Sequence, residues 1–236
     1  MALFAIGDLH LSLGKSKPMD IFDGWDGYVE KIKTGFARVA PDDTVVLCGD
    51  LTWGMTLEEA EEDFRFVSEL PGKKILLKGN HDYWLTTVAK ATAFFRKHSF
   101  ENIEILKNNC FLYEGAAICG TRGWMVDEAL DGALNRKIMA REVLRLEMSL
   151  VEAEKAGARE KLCFFHYPPR HGGYVCAGIE AVMRKYGVTR CWYGHIHGRH
   201  GHSRAVTGIE GGIEYNMVSA DYVNFVPQSI SVSADI

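Results

Sequence analysis

The chain lacks any apolar run approaching the roughly 18 residues a membrane-spanning helix needs, so a spanning segment is not expected. None of its six cysteines stands in a Cys-x-x-Cys pair, which argues against a thiolate zinc site or a dithiol redox pair. An excess of positive charge is missing too: 27 Lys and Arg face 31 Asp and Glu. That balance gives no support for a dedicated polyanion binder, while leaving room for a local basic cleft. Internal repeats, low-complexity stretches and Pro/Gly/Ser-rich linkers are absent, and a single domain over residues 1–236 is expected. The apolar start carries no basic segment ahead of it, so it does not read as a signal peptide. Cys48, Cys119, Cys163 and Cys191 sit within apolar runs and read as reduced, buried small hydrophobes of a cytoplasmic protein.

What is present begins at the first residues. Leu3-Phe4-Ala5-Ile6 suits a buried strand and stops at Gly7-Asp8-Leu9-His10. Residues at i and i+2 of an extended chain point the same way, so a carboxylate and an imidazole can converge just beyond the strand. A hard oxygen beside a borderline nitrogen is half of a divalent-metal site.

The same grammar recurs down the chain. Tyr28, Val29, Ile32, Phe36 and Val39 have helical spacing and predict a helix over about 25–39. Thr44 to Cys48 reads as a strand that stops at Gly49-Asp50. Thr56 and Glu59 form a capping-box signature for a helix bearing Leu57, Ala60, Phe64 and Val67, ended by Pro71-Gly72. A strand over 73–78 stops at Gly79-Asn80-His81-Asp82, and a helix is expected over 86–98. Short runs at 103–106, 111–113 and 117–119 suggest an antiparallel meander, then a loop over 121–136 and a helix over 137–155. A strand over 161–165 halts at His166, a helix follows at 178–186, and a strand over 189–193 halts at Gly194-His195-Ile196-His197. Residues 215–218 and 229–232 read as closing strands. Strands alternating with helices on both sides of a meander indicate an α/β protein of two packed sheets flanked by helices, with ligands beyond the strands' carboxyl ends.

Singly, each polar residue has a structural reading: Asp50 capping a turn, Asn80 holding a left-handed turn, His166 packed in a core. Jointly, five segments place such residues at the same end of strands. The inventory of aspartate, asparagine and histidine without thiolate suits Mn, Fe or Zn. A glycine precedes the acid, amide or histidine in four of the five, permitting unusual backbone angles and close approach to an ion.

The ordered set D-x-H, GD, GNHD, H and GHxH resembles that of the calcineurin-like metallophosphoesterases and spans residues 8 to 197. The resemblance implies a four-layer α/β/β/α sandwich with two divalent cations at the strand ends. Asp8, His10 and His197 would hold one and Asn80, His166 and His195 the other, with Asp50 bridging. His81 would be the substrate-facing acid, oriented by Asp82. The phosphoprotein-phosphatase branch carries an arginine shortly after its GD, whereas Gly49-Asp50-Leu51-Thr52-Trp53-Gly54 has none, which weighs against a phosphoprotein substrate.

The chemistry expected is hydrolysis of a phosphomonoester or phosphodiester. Two close cations clamp phosphoryl oxygens and make a shared water acidic enough to attack phosphorus, while His81 protonates the leaving oxygen. A phosphorylated small molecule is the expected partner. A nuclease would want an aromatic-interleaved basic groove, unsupported by the charge, and a non-catalytic scaffold would be expected to have lost ligands. Arg122, just after a strand, is a candidate fork for a substrate phosphate or else a surface loop residue. Lys137, Arg141 and Arg145 share a helix face read as solvated, and His98, His171, His200 and His202 are left outside the site.

Overall fold

Leu3, Ala5, Val46, Ile75 and Leu77 turn into one apolar layer, while their strand neighbours Phe4, Ile6, Val45, Leu47 and Leu76 turn into another. Strands buried on both faces in this way must be covered on both sides. The protein is described by a computed structural model covering residues 1–126 and 128–232. In chain order its elements are β1 (Leu3–Ile6), α1 (Tyr28–Phe36), β2 (Thr44–Leu47), α2 (Glu61–Glu69), β3 (Lys73–Leu77), α3 (Val88–Lys97) and β4 (Ile103–Leu106). There follow β5 (Phe111–Tyr113), β6 (Ala116–Thr121), α4 (Gly132–Lys155), β7 (Glu160–Phe165), β8 (Arg170–His171), β9 (Tyr174–Val175) and α5 (Ala177–Lys185). The last are β10 (Arg190–Tyr193), α6 (Gly198–His202), β11 (Gly208–Glu210), β12 (Ile213–Met217) and β13 (Gln228–Ile230).

One sheet has the order β13-β1-β2-β3-β4, parallel except for β13. The other has the order β11-β12-β10-β7-β6-β5, in which β12, β10, β7 and β6 are parallel and the two edge strands antiparallel. Between the sheets lie Leu3, Ala5, Val46 and Ile75 from one side and Ile118, Leu162, Phe164 and Trp192 from the other. The first sheet's outer face carries Ile32 and Phe36 of α1, Phe64 and Val67 of α2, and Phe94 and Phe95 of α3. The second sheet's outer face carries Leu146 and Leu150 of α4 and Ile179 and Met183 of α5. The architecture is therefore the α/β/β/α sandwich. All six cysteines are free, and Cys119, Cys163 and Cys191 are packed into the second outer layer.

Three expectations change. The run 103–119 is no meander: β4 closes the first sheet parallel to β3, and only β5 and β6 form an antiparallel hairpin, in the second sheet. Helix α4 starts at Gly132, five residues before the apolar periodicity does, because Asp131 Oδ1 accepts from the Ala133 and Leu134 amides at 2.7 and 2.8 Å. Thr56 Oγ1 does accept from the Glu59 amide and Glu59 Oε2 from the Met55 amide, yet α2 begins only at Glu61. Among the described residues, no helix is long and apolar enough to cross a membrane.

Candidate metal centre

The polar segments after β1, β2, β3, β7 and β10 meet at one edge of the sandwich, where the two sheets adjoin. Beyond β1 and β2 the chain continues as a narrow parallel pairing: the Asp8, His10 and Leu11 amides donate to the Gly49, Asp50 and Leu51 carbonyls. Asp8, His10 and Asp50 are at φ 59°, 45° and 50°, and His195 is at 72°. Left-handed backbone at non-glycine residues costs free energy and is retained where surroundings enforce it. This corrects the expected geometry: left-handed turns, not extended alternation, bring Asp8 and His10 together. Nor do the preceding glycines generally supply the unusual angle, since only Gly49 of the four has positive φ. Their role is room. A Cβ on Gly79 would lie 2.0 Å from Asp50 Oδ1, and one on Gly194 would lie 2.4 Å from Asp8 Oδ2.

Two sets of donor atoms result. Asp8, His10 and His197 place one ligand atom each within 4.8 Å of one another, and so do Asp50, His166 and His195. Asn80 joins the second set, its Oδ1 2.6 Å from His166 Nε2. Asp50 Oδ2 lies between the sets, 3.8 Å from His10 Nε2 and 3.5 Å from His166 Nε2.

The donor set fits cations. His166 Nδ1 faces the Cys48 carbonyl at 3.1 Å, which calls for a proton on Nδ1 and leaves the Nε2 lone pair aimed at Asn80 Oδ1 and at His195 Nδ1, 3.1 Å away. His197 Nδ1 is 2.9 Å from Asp221 Oδ1, which calls for a proton on Nδ1 and turns Nε2 toward His10 Nε2 at 3.2 Å. Lone pairs crowded this way repel unless a positive charge sits among them. Asp8 Oδ1 and His10 Nδ1, both buried, have no hydrogen-bond partner among the described residues. Burial, reinforced by the Asp50 charge, pushes the Asp8 carboxyl up to about 8, and burial pushes His166 down to about 3 and His195 to about 2. At the second donor set these shifts mark burial without a compensating positive charge, whereas at the first, against burial, the Asp221 hydrogen bond and the Asp8 and Asp50 charges hold the His197 imidazole up, to about 9.

The sequence model of the calcineurin-like phosphoesterases matches residues 1–199. The chain belongs to that family. No curated protein matches this phosphoesterase. Among solved structures it is similar to the protein of unknown function AQ665 from Aquifex aeolicus, with 19% identity, 97% of this chain and 95% of that one covered, and a TM-score of 0.53. It is also similar to the phosphopantetheinyl hydrolase PptH from Mycobacterium tuberculosis, with 14% identity, the same 97% and 95% coverage, and a TM-score of 0.53. TT1561 of Thermus thermophilus gives 14% identity, 97% coverage of both chains and a TM-score of 0.53. At these identities the likeness is one of fold.

Around the phosphoesterase's centre, two expected neighbours take different places. Asp82 does not orient His81. Its buried carboxylate accepts from the Asp50, Leu51 and Gly79 amides and the Trp84 indole at 2.7–3.0 Å, locking the loop after β3 onto the loop after β2. His81 instead has its amide on Asp50 Oδ1 at 2.8 Å and its ring 4.4 Å from that of Trp53, with Nε2 4.0 Å from Asp50 Oδ2. Arg122 is no exposed loop residue: its guanidinium lies over the Trp124 ring, and Nη2 is 3.7 Å from buried Glu142.

Sequence reasoning passed over Asp221, whose Oδ2 also accepts from the Gly198 amide and lies 3.2 Å from His202 Nε2. An acid shortly after β12 was the available signal. Also missed were Trp25 and Trp53, whose rings pack on His10. With Met19, Phe22, His81 and His197 they line an open cavity of about 780 Å³. His200, left outside the site, is exposed on α6, whereas His202, also left outside it, is half-buried and lines that cavity.

Proposed function

We propose that this chain hydrolyses an organic phosphomonoester or phosphodiester at a dinuclear centre. Asp8, His10 and His197 would hold one divalent cation, Asn80, His166 and His195 the other, and Asp50 would bridge. The observation that carries this reading is the position of Asp50 Oδ2, within 4 Å of an imidazole from each donor set. The mixed oxygen and nitrogen ligands suit Mn, Fe or Zn. Such ions supply Lewis-acid stabilisation of phosphoryl oxygens and a water of lowered pKa.

The chain's own residues do the rest. Asp221 and the Cys48 carbonyl fix the tautomers of His197 and His166, so that each presents Nε2 inward. His81, on the wall of the aromatic cavity, protonates the leaving oxygen as the ester bond breaks. The leaving group occupies that cavity against Trp25 and Trp53, and its apolar lining favours a small organic alcohol over inorganic phosphate. The fold shared with a phosphopantetheinyl hydrolase agrees with an organic phosphoester substrate.

The test is turnover of p-nitrophenyl phosphate and bis(p-nitrophenyl) phosphate after metal stripping and reloading with Mn, Fe, Zn, Mg or Ni. Monoester or diester preference sorts phosphatase from phosphodiesterase, and silence with every metal refutes the reading. His81→Ala should keep its metal and lose about 10²–10⁴ in turnover of alkyl phosphates. The loss should be smaller on p-nitrophenyl phosphate, whose leaving group needs no proton, and equal losses would remove His81 from the acid's role.

A further inference from the structure

A second cavity, of about 250 Å³, opens between the ends of β3, β4 and β6 and the middle of α4. Its lining carries Lys78, Lys107, Arg122, Arg141 and Arg145, and Glu142 is its single acidic side chain among the described residues. Glu142 is buried and accepts from Thr121 Oγ1 and from Arg145 Nη1, both at 2.7 Å, while Arg122 Nη2 and Arg141 Nε stand 3.7 and 3.6 Å away. One carboxylate thus gathers three guanidiniums, with two lysines beside them. Five cationic side chains share one carboxylate in this lining, Arg122 mostly buried and Arg141 half exposed. Lys78 Nζ is held by the Leu85 carbonyl, a neutral partner, and buried Arg122 Nε has none among the described residues. Burial and the neighbouring Arg145 hold the Lys107 ammonium below its ordinary range, the mark of cations crowded together.

The cavity opens at the carboxyl ends of β3 and β6, the strand ends that also carry the candidate metal centre, and shares no lining residue with the aromatic cavity. Lys78 immediately precedes Gly79-Asn80, and the Arg122 carbonyl accepts from the His166 and Tyr167 amides. Several arginine forks in one recess match a tetrahedral dianion rather than a single carboxylate. We propose that this cleft binds a second phosphate group of the substrate, so that the substrate class is an organic molecule bearing at least two phosphates. The phosphoryl group cleaved at the metals is then a diester: its leaving alcohol takes the aromatic cavity beside His81, and the arm that stays on phosphorus carries the second phosphate, held among Lys107, Arg122 and Arg145. The inference rests on the phosphoesterase reading above and adds the substrate's second charge.

Two measurements test it on the metal-loaded protein. Calorimetric titration with inorganic phosphate should give two binding events, one of which disappears in Arg145→Gln and in Lys107→Gln. Kinetics on a series of α,ω-alkanediol bisphosphates esterified on one phosphate with p-nitrophenol, and on the matching p-nitrophenyl alkyl phosphates, should show, at one chain length, a bisphosphate preference in kcat/KM of about tenfold or more, carried by KM. Both variants should erase that preference. A single phosphate event in the wild type, or a preference that survives both substitutions, overturns the proposal. Two events with no bisphosphate preference at any length also overturn it, since the cleft would then serve a free anion. Absence of any turnover beside two phosphate events would instead fault the phosphoesterase reading, so the two failures are told apart.

Discussion

Four donors converge on the Asp82 carboxylate, three of them amides of the loops that carry Asp50 and Asn80. Asp82→Asn replaces an acceptor by an amide NH₂ facing N–H groups, leaving a buried donor unsatisfied. We expect a loss on the order of 2–4 kcal/mol in chemical denaturation together with reduced metal content. Wild-type stability in that variant would show that the loops are held some other way. The left-handed backbone at Asp8, His10, Asp50 and His195 matters for the choice of probe. Alanine there removes a ligand and adds a backbone penalty of about 1 kcal/mol, whereas asparagine tolerates the conformation. Asp50→Asn is therefore the cleaner variant, and it should weaken both ions together; full occupancy by elemental analysis would refute the bridge. At this scale residue identity was legible, because Asp, Asn and His recur after apolar runs. Backbone handedness was not, since nothing in Asp8-Leu9-His10 announces two left-handed residues.

Element by element, the apolar runs located the central strands, and glycine or proline marked most ends. Partnership was harder to read. Ile103–Leu106 and Phe111–Tyr113 are consecutive and both short, yet β4 and β5 belong to different sheets, a choice made by long-range packing that local pattern does not encode. Helix α4 shows the complementary failure. Its first turn has no apolar periodicity and is held by the Asp131 side chain, so Asp131→Ala should cost about 1 kcal/mol of stability, measurable as a lower denaturation midpoint. The spacing of Arg141 and Arg145 was correctly read as one helix face, but which way it turned depends on Glu142, buried opposite β6.

For the whole molecule, the seam between the sheets is decisive. Asp8, His10, Asp50 and Asn80 follow strands of the first sheet; His166, His195 and His197 follow strands of the second. Each donor set takes members from both. Bound ions would hold the sheets together at one edge, and by mass action a cation at a hundred times its dissociation constant adds about 2.7 kcal/mol. Chelation should accordingly lower the melting temperature of the whole chain in one cooperative transition, restored by adding metal back; an unchanged transition would mean that the ions bear no part of the docking. The same division sets a timetable for biosynthesis. A nascent chain that has so far released only its first hundred residues carries two of the three donors of one set and one of the three of the other, so ion loading would wait until His197 has emerged and the later sheet has closed on the earlier one.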